Sequence, residues 1–481
     1  MTDSSNLKNQ VLHSLKWVAL GKVLTQIIRW AITFWVIRLL LPEDYGVVAM
    51  ADMFAGFLAL FIGGLFTPAI IQTKELSKTM LKQMFGLIII VYSAMFFVQY
   101  NLAGVVGQFY QSEHVTSILK VSAWLFIIKA VAIIPTAQLA RNMEFKRASI
   151  ISSIANITAA VTTLIMAYLQ YGFWSIIIGE IVAVTLNAVM TLAVKPITFL
   201  PEFSFSEVKD HLKFGGLIMF HSILFYVFLH MDVAIAGRVM NVAEIGIFAI
   251  ALQFALMPQK KILPLLKEVA FPAFSKIQDQ PQRINNYILK AQKLSLLITI
   301  PIFWGLACVV DQIIPIILGD KWLDAVYPTM IILLVMPLRF SEELFNPALK
   351  SQRKINHMLK NVIILLAIML ISIIIGLPYG AVGLAGAWAC GFPLAYILIA
   401  RRNAKLLNIE YKNIAKLFIA PGVAGVAMLV CVFATKQLLT DISMVNLLAQ
   451  ILIGGVAFIS VLYSIDKKSM DDLINLFKKG S

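Results

Sequence analysis

Charge is what this sequence has least of. Of its 481 residues, 14% are Asp, Glu, Lys or Arg and 60% are hydrophobic. A soluble chain carries about 25% charged residues. The deficit excludes an ordinary solvated globular domain and points to an all-α polytopic membrane protein. Cysteine is scarce too. Cys308, Cys390 and Cys431 lie in apolar runs with no CxxC or metal-ligand spacing, which argues against a disulfide framework and a metal site. No cofactor is expected. Acidic residues are outnumbered 25 to 40 by Lys and Arg, a formal net charge of +15. That excess is not a nucleic-acid footprint, because it sits in loops of one parity. Long polar loops are missing as well, so no soluble catalytic domain is expected, and the chain reads as a non-enzyme. The first dozen residues are polar, and no short cleavable apolar stretch precedes the first span. The N-terminus is therefore expected to be kept.

What is present is a series of apolar segments of about 17–27 residues, long enough to cross a bilayer as tilted helices. They fall near 15–41, 46–70, 84–103, 117–139, 150–169, 174–194, 214–236, 246–265, 294–310, 326–346, 361–378, 384–400, 417–434 and 445–463. The count predicts fourteen transmembrane helices. With the N-terminus inside, thirty-one Lys and Arg fall in inside segments, and only Arg238, Lys321 and Lys436 fall outside. The positive-inside rule then places both termini in the cytoplasm. The longest loop, about 266–293, is predicted to carry a surface helix, since Ile284, Tyr287, Ile288 and Ala291 recur at helical spacing. Met470, Leu473, Ile474 and Phe477 share that spacing and read as an interfacial helix.

An internal repeat divides the chain. Arg38-Leu-Leu-Leu-Pro-Glu-Asp-Tyr-Gly46 joins segments 1 and 2. Arg238-Val-Met-Asn-Val-Ala-Glu-Ile-Gly246 joins segments 7 and 8, with Asp44 answering Glu244. Tyr171-Gly172 before segment 6 recurs as Tyr379-Gly380 before segment 12. The reading is two pseudo-symmetric six-helix bundles, 1–200 and 201–405, plus two further helices and a cytoplasmic tail in 406–481. An even helix number keeps both halves in one orientation, and such halves usually hold a substrate between them and alternate access by rocking.

These loops, with Ile70-Ile-Gln-Thr-Lys-Glu75, Phe271-Pro-Ala-Phe-Ser-Lys-Ile-Gln-Asp279 and Gly319-Asp-Lys-Trp322, resemble the polysaccharide transporter family. That family belongs to the multidrug/oligosaccharidyl-lipid/polysaccharide exporter superfamily. The likeness is to its Wzx-type flippases, in the colanic acid and teichuronic acid exporter branch. It implies a MATE-like fold in a bacterial inner membrane. It also implies flipping of undecaprenyl-diphosphate-linked oligosaccharide from the cytoplasmic to the periplasmic leaflet. The partners expected are that lipid-linked glycan, membrane lipids, a monovalent cation or proton if transport is coupled, and the polymerase and glycosyltransferases of the same pathway. No nucleic-acid partner is expected.

Candidate site residues come from the charges inside the membrane, which cost about 2.5–3.5 kcal/mol each at a helix centre and usually face a protein interior or wet cavity. Lys22, Thr25, Gln26, Arg29 and Thr33 share one face of segment 1 at i, i+3, i+4, i+7 and i+11. That face reads as one wall of a cation-lined cavity. The plainer alternative has Lys22 snorkelling and Arg29 paired with an acid. Lys129 is near the middle of segment 4, on a face with Ser122 and Thr136. Asp52 and Glu180 are placed at an outer level with Arg38 and Lys120 as natural partners, either as structural ion pairs or in ion or proton coupling. Arg339 has Glu342 and Glu343 at i+3 and i+4, so a local ion pair is its first expected role and substrate contact the second. Asp232 is expected to pair with Arg238 or to cap the outer end of segment 7. Arg29 and Lys129 are then left without an acid at their depth. With Lys22 and Arg339, they form the expected binding set for a diphosphate. Two other functions fit less well. A multidrug exporter wants an acidic cavity for cationic drugs, and a polymerase or ligase needs a large outer loop, where the chain offers only Glu113 and His114.

Overall fold

The computed structural model describes residues 25–63, 66, 70–71, 77–204, 216–276, 280–438, 441–467 and 470. Lys22, the stretch 64–65 and 67–69, and most of the C-terminal amphipathic tail lie outside them. The described residues are helical with no strand. We label the long helices in order. In the first part of the chain they are α1 (25–39), α2 (Pro42–Gly63), α3 (Lys78–Phe109), α4 (Glu113–Arg141), α5 (Phe145–Tyr168), α6 (Trp174–Val194) and α7 (Gly216–Val239). Then follow α8 (Val242–Lys276), α9 (Pro281–Ile317), α10 (Val326–Glu343), α11 (Ile355–Gly376), α12 (Gly380–Leu406), α13 (Ile419–Leu438) and α14 (Met444–Ile465). Among the described residues, eleven stretches are long and apolar enough to cross a membrane; one of them, Ile355–Leu406, contains both α11 and α12.

Local chemistry sets the helix ends. Ser77 caps α3 by accepting the Met80 amide at 2.8 Å, and Ser112 caps α4 by accepting from Val115. These side-chain acceptors satisfy amides that a helix start leaves without partners. Gln111, Met143, Gln170, Arg353 and Asn408 take positive φ just after helices, turning the chain back within a few residues.

The chain forms two compact units. The first is Met1–Tyr226 with Gly237–Ala243, and the second is Val227–Ala236 with Glu244–Ser481. In the first, α3 packs on α4, α5 on α6, and α4 on α6. In the second, α9 packs on α10, α11 on α12, and α10 on α12. The neighbours thus recur six helices apart. Helices α13 and α14 pack on each other and on α9.

The repeated loops share a construction. Asp44 Oδ2 accepts from the Leu41 amide at 2.9 Å, and its Oδ1 accepts from the Phe173 amide at 2.8 Å. Gly172 has φ +55°, and a Cβ there would lie 2.7 Å from that same Oδ1. In the second unit a Cβ on Gly380 would lie 3.0 Å from Glu244 Oε1. Gly380 has φ 63° and ψ −149°, a region open essentially to glycine alone. Gly380→Ala is therefore expected to cost about 1–3 kcal/mol. A lowered melting temperature of the detergent-purified variant checks this, and an unchanged one would refute it.

Two elements differ from the sequence-based expectation. The predicted surface helix at 284–291 is instead the first part of α9. Its Ile284 and Ile288 are buried against Phe345, Leu349, Met358 and Leu407. Likewise α8 runs unbroken to Lys276, well past the predicted end at 265. Hydropathy marks where a helix meets lipid. It does not mark where a helix continues beyond the lipid and packs on other protein.

Candidate functional site

Each unit carries its own cluster of charges. In the first unit, Lys129 Nζ of α4 lies 3.9 Å from Glu180 Oε1 of α6, with both side chains a little under half exposed. Asp52 of α2 feels both Glu180 and Lys129 electrostatically. One ammonium therefore serves two carboxylates. The expectation that Lys129 has no acid at its depth is corrected. Helix α4 begins at Glu113 and is 29 residues long, whereas α6 begins at Trp174 and is 21 residues long. The middle of the longer helix thus meets the first third of the shorter one. A pair at that distance and exposure contributes little to stability by itself.

Lys129 lines a cavity of about 340 Å³ with Thr136, Asn156, Asn187 and the ring of Tyr92. Thr136 was expected on that face. Ser122 is placed elsewhere, accepting from Gln99 Nε2 at 2.9 Å. Asn156 and Asn187 were missed. An asparagine within an apolar helix is a signal that could have found each of them.

Arg29 sits half-buried on α1 among Thr25, Gln26 and Thr33, all partly covered. No carboxylate lies within 4 Å of it among the described residues. Arg38 is exposed at the end of α1. Beyond the membrane segments, Glu144 accepts from Lys195 at 2.7 Å and from Arg147 at 2.6 Å. The Lys195 hydrogen bond, with Arg147 second among the cations, holds the Glu144 carboxyl below its ordinary range.

In the second unit, Arg339 of α10 is buried, 5% exposed. Its guanidinium lies 4.9 Å from the Trp388 ring centre and 5.8 Å from that of Phe228. It interacts electrostatically with Glu343, Asp232 and Glu342. Its Nε and Nη1 have no hydrogen-bond partner. Asp232 is 1% exposed; its Oδ1 accepts from the Val233 amide at 2.8 Å and its Oδ2 from Trp388 Nε1 at 3.3 Å. The expected roles of Asp232, pairing with Arg238 or capping a helix end, are thereby corrected. Arg238 is exposed and lies over the Phe109 ring. The local Arg339–glutamate arrangement is part of a larger set that also includes Asp232, Lys260 and His230. A guanidinium over aromatic rings keeps stabilisation from the ring faces where no carboxylate reaches it.

Membrane-length helices in two units with repeated neighbours, each unit holding ionisable groups among apolar helices, define a polytopic membrane protein. The fold is shared with solved transporters. The lipid II flippase MurJ in an inward closed conformation matches with a TM-score of 0.75, 16% identity, and coverage of 94% of this chain and 99% of that one. An inward-facing multidrug resistance MATE transporter of the MOP superfamily matches with a TM-score of 0.62, 14% identity, and coverage of 82% and 96%. The polysaccharide biosynthesis protein family matches residues 36–327, more than half of the chain, and the protein belongs to that family. Among its relatives is the teichuronic acid biosynthesis protein TuaB of Bacillus subtilis (strain 168), 24% identical over 71% of this chain and 71% of its own length. Another is the lipopolysaccharide biosynthesis protein WzxC of Escherichia coli (strain K12), 24% identical over 69% and 68%.

Proposed function

We propose that this protein is a Wzx-type flippase that carries undecaprenyl-diphosphate-linked oligosaccharide from the cytoplasmic to the periplasmic leaflet of a bacterial inner membrane. The observation that carries the reading is membership of the polysaccharide biosynthesis family on a fold shared with a lipid II flippase. In this reading the chain crosses the membrane fourteen times with both termini in the cytoplasm, as the loop lysines and arginines favour. The two six-helix halves work by alternating access, with 406–481 added to the second.

Arg29 holds the diphosphate, because a cation without a local acid in a membrane interior favours an anionic ligand, and Lys22, one helical repeat earlier on the same sequence face, adds a second cation. Lys129 takes part as an ammonium shared between substrate and Glu180, and the Asp52–Lys129–Glu180 set is where a cation or proton could couple to the cycle. Arg339 serves mainly to balance Asp232 and the α10 glutamates. The test is deletion of the gene followed by lipid extraction. A lipid-diphosphate-linked glycan should accumulate on the cytoplasmic side while the corresponding exported polysaccharide disappears. Normal export in the deletion strain refutes the reading.

A further inference from the structure

Three loops singled out in the sequence meet in one cleft of the second unit, and the diphosphate site uses none of them. The cleft is about 510 Å³. Glu244 reaches it from the start of α8, and Tyr379-Gly380 from the start of α12. Asp324 and Tyr327 reach it from just beyond Gly319-Asp-Lys-Trp322. In that motif the fully buried Trp322 anchors the 3-10 turn Asp320–Ala325. Asp311 completes the lining from near the end of α9.

The internal repeat supplies a control for Glu244. Its counterpart Asp44 is used up by two backbone amides. Glu244 occupies the same place in its own loop, yet it has no hydrogen bond or ion pair among the described residues. Asp311 Oδ2 accepts from Lys436 Nζ, and its Oδ1, buried beneath the cleft surface, has no partner. Beside these acceptors stand two exposed tyrosines, Tyr327 at 64% and Tyr379 at 74%. No Lys or Arg lines the cleft. The ligand that suits this surface is rich in donors, poor in negative charge, and has an apolar face that fits an aromatic ring. Carboxylates only accept hydrogen bonds, and those they accept are of the stronger, charge-assisted kind. A tyrosine offers a flat apolar body with a polar tip. Sugar rings meet each requirement, since their hydroxyls donate and their C–H faces stack on rings. A diphosphate meets none.

We propose that this cleft binds the glycan head group of the lipid-linked substrate. The proposal rests on the flippase reading. In that topology all three loops are periplasmic, so the cleft receives the sugar after it has crossed.

The experiment uses the full-length protein in nanodiscs. The probe is the oligosaccharide repeat unit, cut enzymatically from the polysaccharide whose export the deletion abolishes, and free of lipid and phosphate. Saturation-transfer NMR should show binding. Tyr379→Ala and Glu244→Gln should each weaken it about tenfold, while Tyr379→Phe retains it. Melting temperatures matching wild type exclude misfolding of the variants. Absence of sugar binding by wild type overturns the proposal, as do unchanged affinities in both variants. Displacement of the sugar by spermidine but not by a second neutral glycan also overturns it, because the cleft is then a cation site. If export depends on the gene while both variants bind and export as wild type, the cleft falls and the flippase reading stands. If the deletion strain exports normally, it is the flippase reading that falls.

Discussion

Polysaccharide export should fall close to background in the Arg29→Ala, Lys129→Ala double variant, with the protein still inserted at normal levels. Each charge-assisted contact to a diphosphate is worth about 1.5–3 kcal/mol, so each single variant should slow flipping about ten- to a hundredfold. The two positions differ in surroundings, and this makes them separable. Arg29 has no acid within 4 Å among the described residues, so Arg29→Ala removes a cation and strands none of their carboxylates. Lys129→Ala also leaves Glu180 and Asp52 without their shared ammonium. The Lys129→Ala, Glu180→Gln pair resolves the two causes. If stranded carboxylates cause the loss, this pair regains part of the export, and adding Asp52→Asn restores more of it. If Lys129 touches substrate, export stays low. Arg29→Lys should keep part of the activity if charge matters most, and little if a planar bidentate grip matters. Export at wild-type rates by the Arg29→Ala, Lys129→Ala variant rejects the anion site.

Arg339→Ala should destabilise the second unit by about 3–5 kcal/mol, the usual cost of removing one partner from a buried charge set. Its guanidinium is the buried counter-charge near Asp232, Glu342 and Glu343, and it packs over the adjoining rings of Trp388 and Phe228. Truncation removes both the charge and its contact with the rings. Arg339→Lys keeps the charge but loses the flat contact with the rings, so it should fall between wild type and Arg339→Ala. The Arg339→Met, Asp232→Asn pair should recover part of the loss, because it removes opposite charges together. Thermal unfolding of detergent-purified protein, followed by size-exclusion of the surviving fraction, reads all three. Wild-type melting of Arg339→Ala would show that Arg339 is not an internal counter-charge, and would return it to the candidate substrate ligands.

Much of the architecture is local information and was readable as such. A bilayer-length apolar run is helical wherever it sits, because every backbone polar group in lipid must be satisfied within the helix. The repeat was readable too. The acid–glycine correspondence between 44 and 244, and between 172 and 380, is a matter of sequence spacing. The two loops prove to be built alike, with the acid set against the positive-φ glycine. The polar face of α1 followed from periodicity alone, and its residues are found half-buried together.

Depth was not readable. Apolar runs suggest where a helix is centred, but the level at which two side chains meet depends on the length, tilt and register of both helices. Lys129 was assigned no acid because Glu180 appeared too near the outer end of its segment. The overhang of α4 beyond α6 brings the two within 3.9 Å. Asp232 went to Arg238 by proximity in sequence, yet packing gave it the indole of Trp388, 156 residues away. The sequence by itself determined the class of protein, its many apolar helices, the matched loop spacings and which residues carry charge into apolar segments, because each depends on neighbours along the chain. Only the tertiary structure decided which charges are shared, which stand over aromatic rings and which acids are left facing a cleft. Those outcomes depend on side chains from helices far apart in sequence arriving at one level.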